Sequence, residues 1–223
     1  MALYAMADLH LSLSTNKPMD VFGERWANYH QRIKDNWCLE DNDTIVIPGD
    51  ISWAMNFEEL KEDFEFLGNL KGKKIISKGN HDYWWNSLKK LNEFASNYGD
   101  IQFLHNNAFE YKEYSICGTR GWIQEPGESS DLKVLVREAG RLKLSLNKAI
   151  GEPIVFLHYP PIYAGIYCKE IMDVLLEYNI KRCFYGHLHG PAISAAKVGN
   201  FYNIDFSLIS SDYLNFTPLI IEP

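Results

Sequence analysis

"IISKGNHDYWW", residues 75–85, decides how the rest of the chain is read. An apolar run ends at Lys78-Gly79, and Asn80, His81 and Asp82 follow without a break. A short β-branched run bounded by glycine reads as a buried strand. The amide, imidazole and carboxylate at its tip are either turn formers or ligands. For any one of them alone, turn or N-cap chemistry is the ordinary reading. The deciding question is whether other strand ends carry the same kinds of group.

They do. "LYAMA" (3–7) runs into Asp8-Leu9-His10, and "TIVIP" (44–48) into Gly49-Asp50. "PIVFL" (153–157) meets His158-Tyr159-Pro160-Pro161, and "RCFYG" (182–186) meets His187-Leu188-His189-Gly190. In α/β sheets, ligands bind in the crevice beyond the carboxyl ends of the strands, so these groups are expected to converge. Five of the seven histidines lie in these patches. His158 alone would read as a satisfied core histidine, but His187-x-His189 is harder to set aside. Carboxylate, amide and imidazole donors together suit divalent transition metals such as Mn, Fe, Zn, Co or Ni. Seven candidate ligands are too many for one open site and about right for two. A dinuclear site needs a bridging carboxylate, and Asp50 is the best placed, because Gly49 lets the backbone approach closely. Two metals so held would bind phosphate oxygens and lower the pKa of a bound water.

The rest of the composition is compatible with that reading. A chain of 223 residues fits one globular domain, and 46% hydrophobic residues can fill its core. The net charge of −7 argues against general affinity for nucleic acid or anionic membrane. The four cysteines are scattered without C-x-x-C spacing and read as free thiols in a reducing compartment. "MALYAMADLH" lacks a basic n-region and meets Asp8 early, so a cytoplasmic location is expected.

Between the strand-like runs, to which "YSICG" (114–118) belongs, apolar residues recur at helical spacing. Trp26, Tyr29, Ile33 and Trp37 form one set, Leu60, Phe64 and Leu67 a second, and Leu88, Leu91 and Phe94 a third. Further helices are expected over 131–148 and 169–178, and "ISAAKVGNFYNIDF" and "TPLIIEP" read as additional strands. The result is a layered α/β or α+β domain spanning 1–223, with helices covering sheets. Strand order is not legible.

The ordered set D-x-H, G-D, G-N-H-D, H and G-H-x-H resembles the calcineurin-like metallophosphoesterase superfamily, over Asp8 to Gly190. That resemblance implies a two-sheet β-sandwich flanked by helices in four layers, with two metal ions, Mn, Fe or Zn foremost, at the strand ends. It places Asp8, His10 and His189 on one metal and Asn80, His158 and His187 on the other, with Asp50 bridging. It makes His81 the general acid to the leaving oxygen, with Asp82 orienting its ring.

"GDISWA" departs from the arginine-bearing G-D-x-x-D-R of the related protein Ser/Thr phosphatases, which argues against a dedicated phosphoprotein phosphatase. The motifs resemble the bacterial branch of small-molecule phosphohydrolases, and a small phosphodiester is slightly favoured over a monoester. A nuclease acting on nucleic-acid ends and a silent metal-binding interaction module are the alternatives. The module would be expected to lose ligands or the acid histidine, and this chain keeps them. Residues 11–26 are expected to form a loop over the mouth of the site. Arg120 in "GTRGW" is a candidate phosphate clamp or a surface arginine, evenly weighted. Trp53, Trp84 and Trp85 are candidates for a ring pocket, with core packing expected for at least two. His30 and His105 read as structural.

Overall fold

The computed structural model describes residues 1–17, 19–122 and 132–223. In chain order the strands are β1 (Leu3–Ala5), β2 (Thr44–Pro48), β3 (Lys73–Ser77), β4 (Ile101–Phe103), β5 (Phe109–Tyr111) and β6 (Tyr114–Thr119). They continue with β7 (Glu152–Leu157), β8 (Ile162–Tyr163), β9 (Ile166–Tyr167), β10 (Arg182–Tyr185), β11 (Gly199–Phe201), β12 (Ile204–Leu208) and β13 (Leu219–Glu222). The helices are α1 (Tyr29–Asp35), α2 (Phe57–Asn69), α3 (Leu88–Ala95), α4 (Leu132–Leu146) and α5 (Lys169–Glu177).

Two mixed sheets result, in the orders β13-β1-β2-β3-β4 and β11-β12-β10-β7-β6-β5, with β8 and β9 as a separate pair. β1 to β4 are parallel to one another, as are β6, β7, β10 and β12, and the antiparallel partners sit at the edges.

The period-2 alternation of the central strands explains the layering. In β2, Ile45 and Ile47 pack with Leu60, Phe64 and Leu67 of α2, whereas Val46 points the other way. In β7, Ile154 and Phe156 meet Val46 and Ile75 between the sheets, while Val155 and Leu157 pack toward α4 and α5. A strand buried on both faces has no polar alternation to show, which is why these runs read as continuously apolar. Helix, sheet, sheet and helix are therefore stacked, as the resemblance implies.

Local chemistry sets the boundaries. Asn56 Oδ1 accepts from Glu58 N (3.0 Å) and Glu59 N (3.1 Å) while Glu59 Oε2 accepts from Met55 N (2.9 Å), so α2 begins with a reciprocal cap. Such a cap is worth about 1 kcal/mol. Two expectations change. The helical spacing from Trp26 to Trp37 yields only α1, because Asn28 adopts a left-handed φ of 52° and detaches Trp26 into a preceding 3₁₀ turn. Of residues 193–206, expected to hold strands, the first three belong to a 3₁₀ turn over Gly190–Ala195, and β11 and β12 lie in the rest. The expected start of α4 at Asp131 lies outside the described residues. No helix among the described residues is long and apolar enough to cross a membrane.

The two sheets are stitched where their carboxyl ends meet. Ala7 N donates to Ile209 O (2.7 Å), and Ser211 N donates to Ala7 O (3.0 Å), so the chain beyond β1 pairs with the chain beyond β12. On this seam the strand-end residues gather.

Candidate metal centre

The backbone at the seam is unusual. Asp8, His10, Asp50 and His187 all sit at positive φ, from 47° to 72°. An L-residue there costs roughly 1–2 kcal/mol and persists only when its surroundings over-determine it. Here they do. Asp8 N donates to Gly49 O (3.0 Å) and His10 N to Asp50 O (2.9 Å), locking the ends of β1 and β2 together.

Two donor groups share one carboxylate oxygen. In the first, His10 Nε2 faces His189 Nε2 at 3.2 Å, and His189 Nε2 lies 3.7 Å from Asp8 Oδ1. In the second, Asn80 Oδ1 lies 2.6 Å from His158 Nε2 and 3.0 Å from His187 Nδ1. Asp50 Oδ2 stands between them, 3.7 Å from His10 Nε2 and 3.5 Å from His158 Nε2. Its other oxygen accepts from His81 N (2.8 Å), which turns Oδ2 toward both groups. His187 and His189 therefore serve different donor groups, an outcome of the left-handed turn at His187.

The residues fit a pair of metal ions. Ligand atoms about 2.0–2.2 Å from a common ion lie roughly 2.8–3.6 Å apart, and the separations here run from 2.6 to 3.7 Å. Asp8 Oδ1 is buried without a hydrogen-bond partner, an acceptor aimed into the cluster. Three glycines make the approach possible. A Cβ on Gly79 would lie 2.0 Å from Asp50 Oδ1, one on Gly186 2.4 Å from Asp8 Oδ2, and one on Gly49 2.7 Å from His158 Nδ1.

Electrostatics point the same way. Burial, then Asp82 and Asp8, hold the Asp50 carboxyl well above its usual range. Burial pushes His158 down to about 3 and His10 well below normal, leaving both imidazoles as neutral donors. His189 moves the other way: burial opposes its charge, but Asp8 and Asp212 outweigh it and lift the ring to about 10. Burial likewise acts to raise Asp8, and His189 reverses it, so Asp8 stays ionised. A metal on His189 would replace that one proton.

The expected role of Asp82 is corrected. Its Oδ2 accepts from Gly79 N (2.7 Å) and Asp50 N (2.9 Å), and its Oδ1 from Ile51 N (2.9 Å). These bonds occupy the carboxylate and tie the Asn80 turn to the Asp50 turn. His81 Nδ1 is buried with no partner, so Asp82 does not orient that ring. His81 is instead held between Trp53, 4.4 Å away by ring centroid, and His10, at 5.7 Å. With Trp26, Trp53, Met19 and Phe22 it lines a cleft of about 230 Å³ that opens onto His10 and His189. Residues 11–26 thus do border the mouth, although Pro18 lies outside the described residues. Trp84 is core and Trp85 half-buried, so of the three candidates Trp53, Trp84 and Trp85, Trp53 is the one that lines this cleft.

Arg120 is not brought to the metal ligands. Its side chain enters a separate cavity with Lys78 and Arg141 and lies 3.8 Å from Glu138. Sequence reasoning missed Asp212, whose Oδ1 lies 3.0 Å from His189 Nδ1 while its Oδ2 accepts from Gly190 N (3.0 Å). The signal was available: "SSD" follows β12, one more polar strand end. The Pro48 carbonyl, 3.1 Å from His158 Nδ1, left no such trace.

The chain belongs to the calcineurin-like phosphoesterase family, whose model matches residues 1–191. No curated protein sequence matches it. Among solved structures, a protein of unknown function from Aquifex aeolicus is 18% identical, with 98% of this chain and 95% of that one aligned at a TM-score of 0.57. Phosphopantetheinyl hydrolase from Mycobacterium tuberculosis is 13% identical over 100% and 96% of the two chains, with a TM-score of 0.59. TT1561 of Thermus thermophilus is 12% identical over 99% and 97%, at 0.58. At these identities the likeness is one of fold. Family and site together define a metal-dependent phosphoester hydrolase.

Proposed function

We propose that the chain hydrolyses a small phosphodiester at a dinuclear centre, with His81 as proton donor. The observation that carries this is Asp50 Oδ2, within 3.7 Å of one donor group and 3.5 Å of the other. Asp8, His10 and His189 would hold one ion, Asn80, His158 and His187 the second, with Asp50 between them. Mn, Fe and Zn are the candidates by ligand chemistry. Bound ions would supply charge neutralisation at the phosphoryl oxygens and a hydroxide at neutral pH.

The chain's own residues do the rest. Trp53 and Trp26 offer aromatic surface beside the centre, which suits an ester whose second substituent carries a ring or short apolar group. Burial, with His187 next, holds His81 down to about 4. An anionic substrate raises that value by its own charge, so the ring takes up a proton when there is a leaving oxygen to receive it. Asp212 fixes the orientation of His189. Asp82 acts at one remove, by joining the two turns that present Asp50 and Asn80.

The test is turnover of an alkyl phosphodiester, the matching monoester and a single-stranded oligonucleotide, with each of the three metals. The diester should be fastest. A faster monoester would overturn the diester preference, a faster oligonucleotide would make the chain a nuclease, and no turnover of any would overturn hydrolysis itself.

A further inference from the structure

Beside the metal centre lies a cluster of opposite sign. Glu138 of α4 is fully buried beneath the cavity that Arg120 enters. Its Oε2 accepts from Thr119 Oγ1 (2.9 Å), and its Oε1 accepts from Arg141 Nη1 (2.8 Å). Arg120 Nη2 and Arg137 Nε stand farther off, at 3.8 and 3.7 Å. Lys78, Arg120 and Arg141 line the cavity itself, so three positive charges face one buried negative charge, which Arg141 already satisfies.

Arg120 Nε is buried with no acceptor. A buried guanidinium N–H without a partner is costly, and a planar guanidinium presents paired N–H groups in the geometry of an oxyanion. Asn106 Oδ1, on the same cavity, is also buried and unpaired. Turned about its amide, that side chain would offer an N–H instead. The cavity, about 90 Å³, is sized for one oxyanion rather than a nucleoside.

Its place in the fold matters. Lys78 follows β3, Asn106 follows β4 and Arg120 follows β6, so the cavity opens on the same rim as the metal centre. Arg120 O accepts from His158 N (3.1 Å) and Tyr159 N (2.9 Å), which ties the cavity wall to a candidate ligand. We infer that this cavity is a second, metal-independent anion site, for a phosphate-like or carboxylate-like group held by Lys78, Arg120 and Arg141. The group is either a second anionic substituent of the substrate or a free oxyanion. Binding here does not depend on which ester the metal centre cleaves, or on whether it cleaves one.

The experiment is calorimetric titration of sulfate into the full metal-loaded chain and its variants, with circular dichroism confirming that each is folded. Asp50→Asn should abolish binding at the metal centre and leave one metal-independent event. Adding Lys78→Gln or Arg141→Gln should weaken that remaining event about tenfold or more, the effect of losing one charged hydrogen bond. Arg141 also supports Glu138, so Lys78→Gln, which leaves that pair intact, is decisive if Arg141→Gln does not fold. If Asp50→Asn does not fold, Lys78→Gln alone should weaken one of two events by the same factor in the native background. Sulfate binding unaltered by Lys78→Gln, or none outside the metal centre, would overturn the inference. Kinetics then separate the two sources. A substrate subsite requires Lys78→Gln to raise KM only for diesters bearing a second phosphate, whereas a free-ion site requires sulfate to alter the rate without competing with substrate.

Discussion

The metal centre and the cationic cavity share one rim of the sandwich and carry opposite charge balances. The first places buried Asp8 and Asp50 among imidazoles of which His10 and His158 are held neutral and His189 keeps a proton, with an unpaired Asp8 oxygen facing in. The second sets Lys78, Arg120 and Arg141 over one satisfied carboxylate, with an unpaired guanidinium N–H facing in. In each, one orphaned group belongs to the side chains that set the character of the site, Asp8 Oδ1 in the first and Arg120 Nε in the second. The difference teaches that a ligand's charge is read from the excess at the orphaned atom, more safely than from the chain's net charge of −7. A negatively charged protein can hold an anion where its few buried cations are concentrated.

The strongest way to break the comparison is at the shared oxygen. Asp50→Asn removes the one carboxylate between the two donor groups, so it should empty both positions and abolish turnover of every substrate. Elemental mass spectrometry should fall from about two ions per chain to fewer than one, whereas Asn80→Ala should lower only one position. Two ions retained in Asp50→Asn would remove Asp50 from the bridge and reduce the carboxylate excess to coincidence.

Next comes His81, which stands at the cleft without touching the donor groups through its ring nitrogens. His81→Ala should keep its metal and lose activity unevenly. General acid catalysis is worth about 10²–10⁴-fold, and that loss should fall on alkyl esters. Nitrophenyl esters, whose leaving group is already a stable anion, should lose far less. Equal losses on the two, measured as kcat, would show that His81 donates no proton.

The smaller effects concern scaffolding. Asp82 accepts three well-formed backbone N–H bonds in a buried carboxylate, and hydrogen bonds to charged groups are worth about 1.5–3 kcal/mol each. Asp82→Ala should therefore cost about 3 kcal/mol or more in urea denaturation. Asp82→Asn, which keeps one accepting oxygen, should cost less. An undiminished stability in Asp82→Ala would mean that the two turns are held together without this carboxylate.

How much of this was legible in the sequence follows from its physics. Strands buried on both faces announce themselves as unbroken apolar runs, so β2, β3, β6, β7 and β10 could be placed closely. The donor residues could be nominated because each follows such a run. What could not be read depends on where side chains turn after the strand ends. The left-handed φ of His187 sends neighbouring imidazoles to different donor groups, which the family resemblance implied but nothing in "GHLHG" by itself specifies. Asp82 looked like a partner for the adjacent ring, yet three backbone N–H groups claim it first. Arg120 was nominated for its guanidinium and its place after a strand, and the packing of α4 carries Glu138 and Arg141 to it from a distant stretch.

The smallest predicted effect tests the rule on a buried charge that belongs to neither cluster. Lys74, in β3 at the end away from the site, is 2% exposed, and its ammonium donates to the Leu70 carbonyl. Burial lowers its pKa from 10.5 to about 8, with Asp100 only partly opposing. A single cation with a carbonyl partner makes no excess and no orphan, so it should be a modest liability rather than a site. The folded value lies below the unfolded one, so the native state favours the neutral amine. The contribution of Lys74 to native stability should therefore be least favourable below about pH 8 and improve as pH climbs from 8 toward 10.5. Lys74→Met keeps the length of the chain, removes the charge and gives up one hydrogen bond. Its stability at pH 7 should lie within about 1 kcal/mol of the native protein, and the Lys74 share of the rise above pH 8 should vanish. Urea denaturation at pH 7 and pH 10 reads both. A loss above about 2 kcal/mol at pH 7, or a rise unchanged by the substitution, would mean that Lys74 has a partner the charge balance does not reveal.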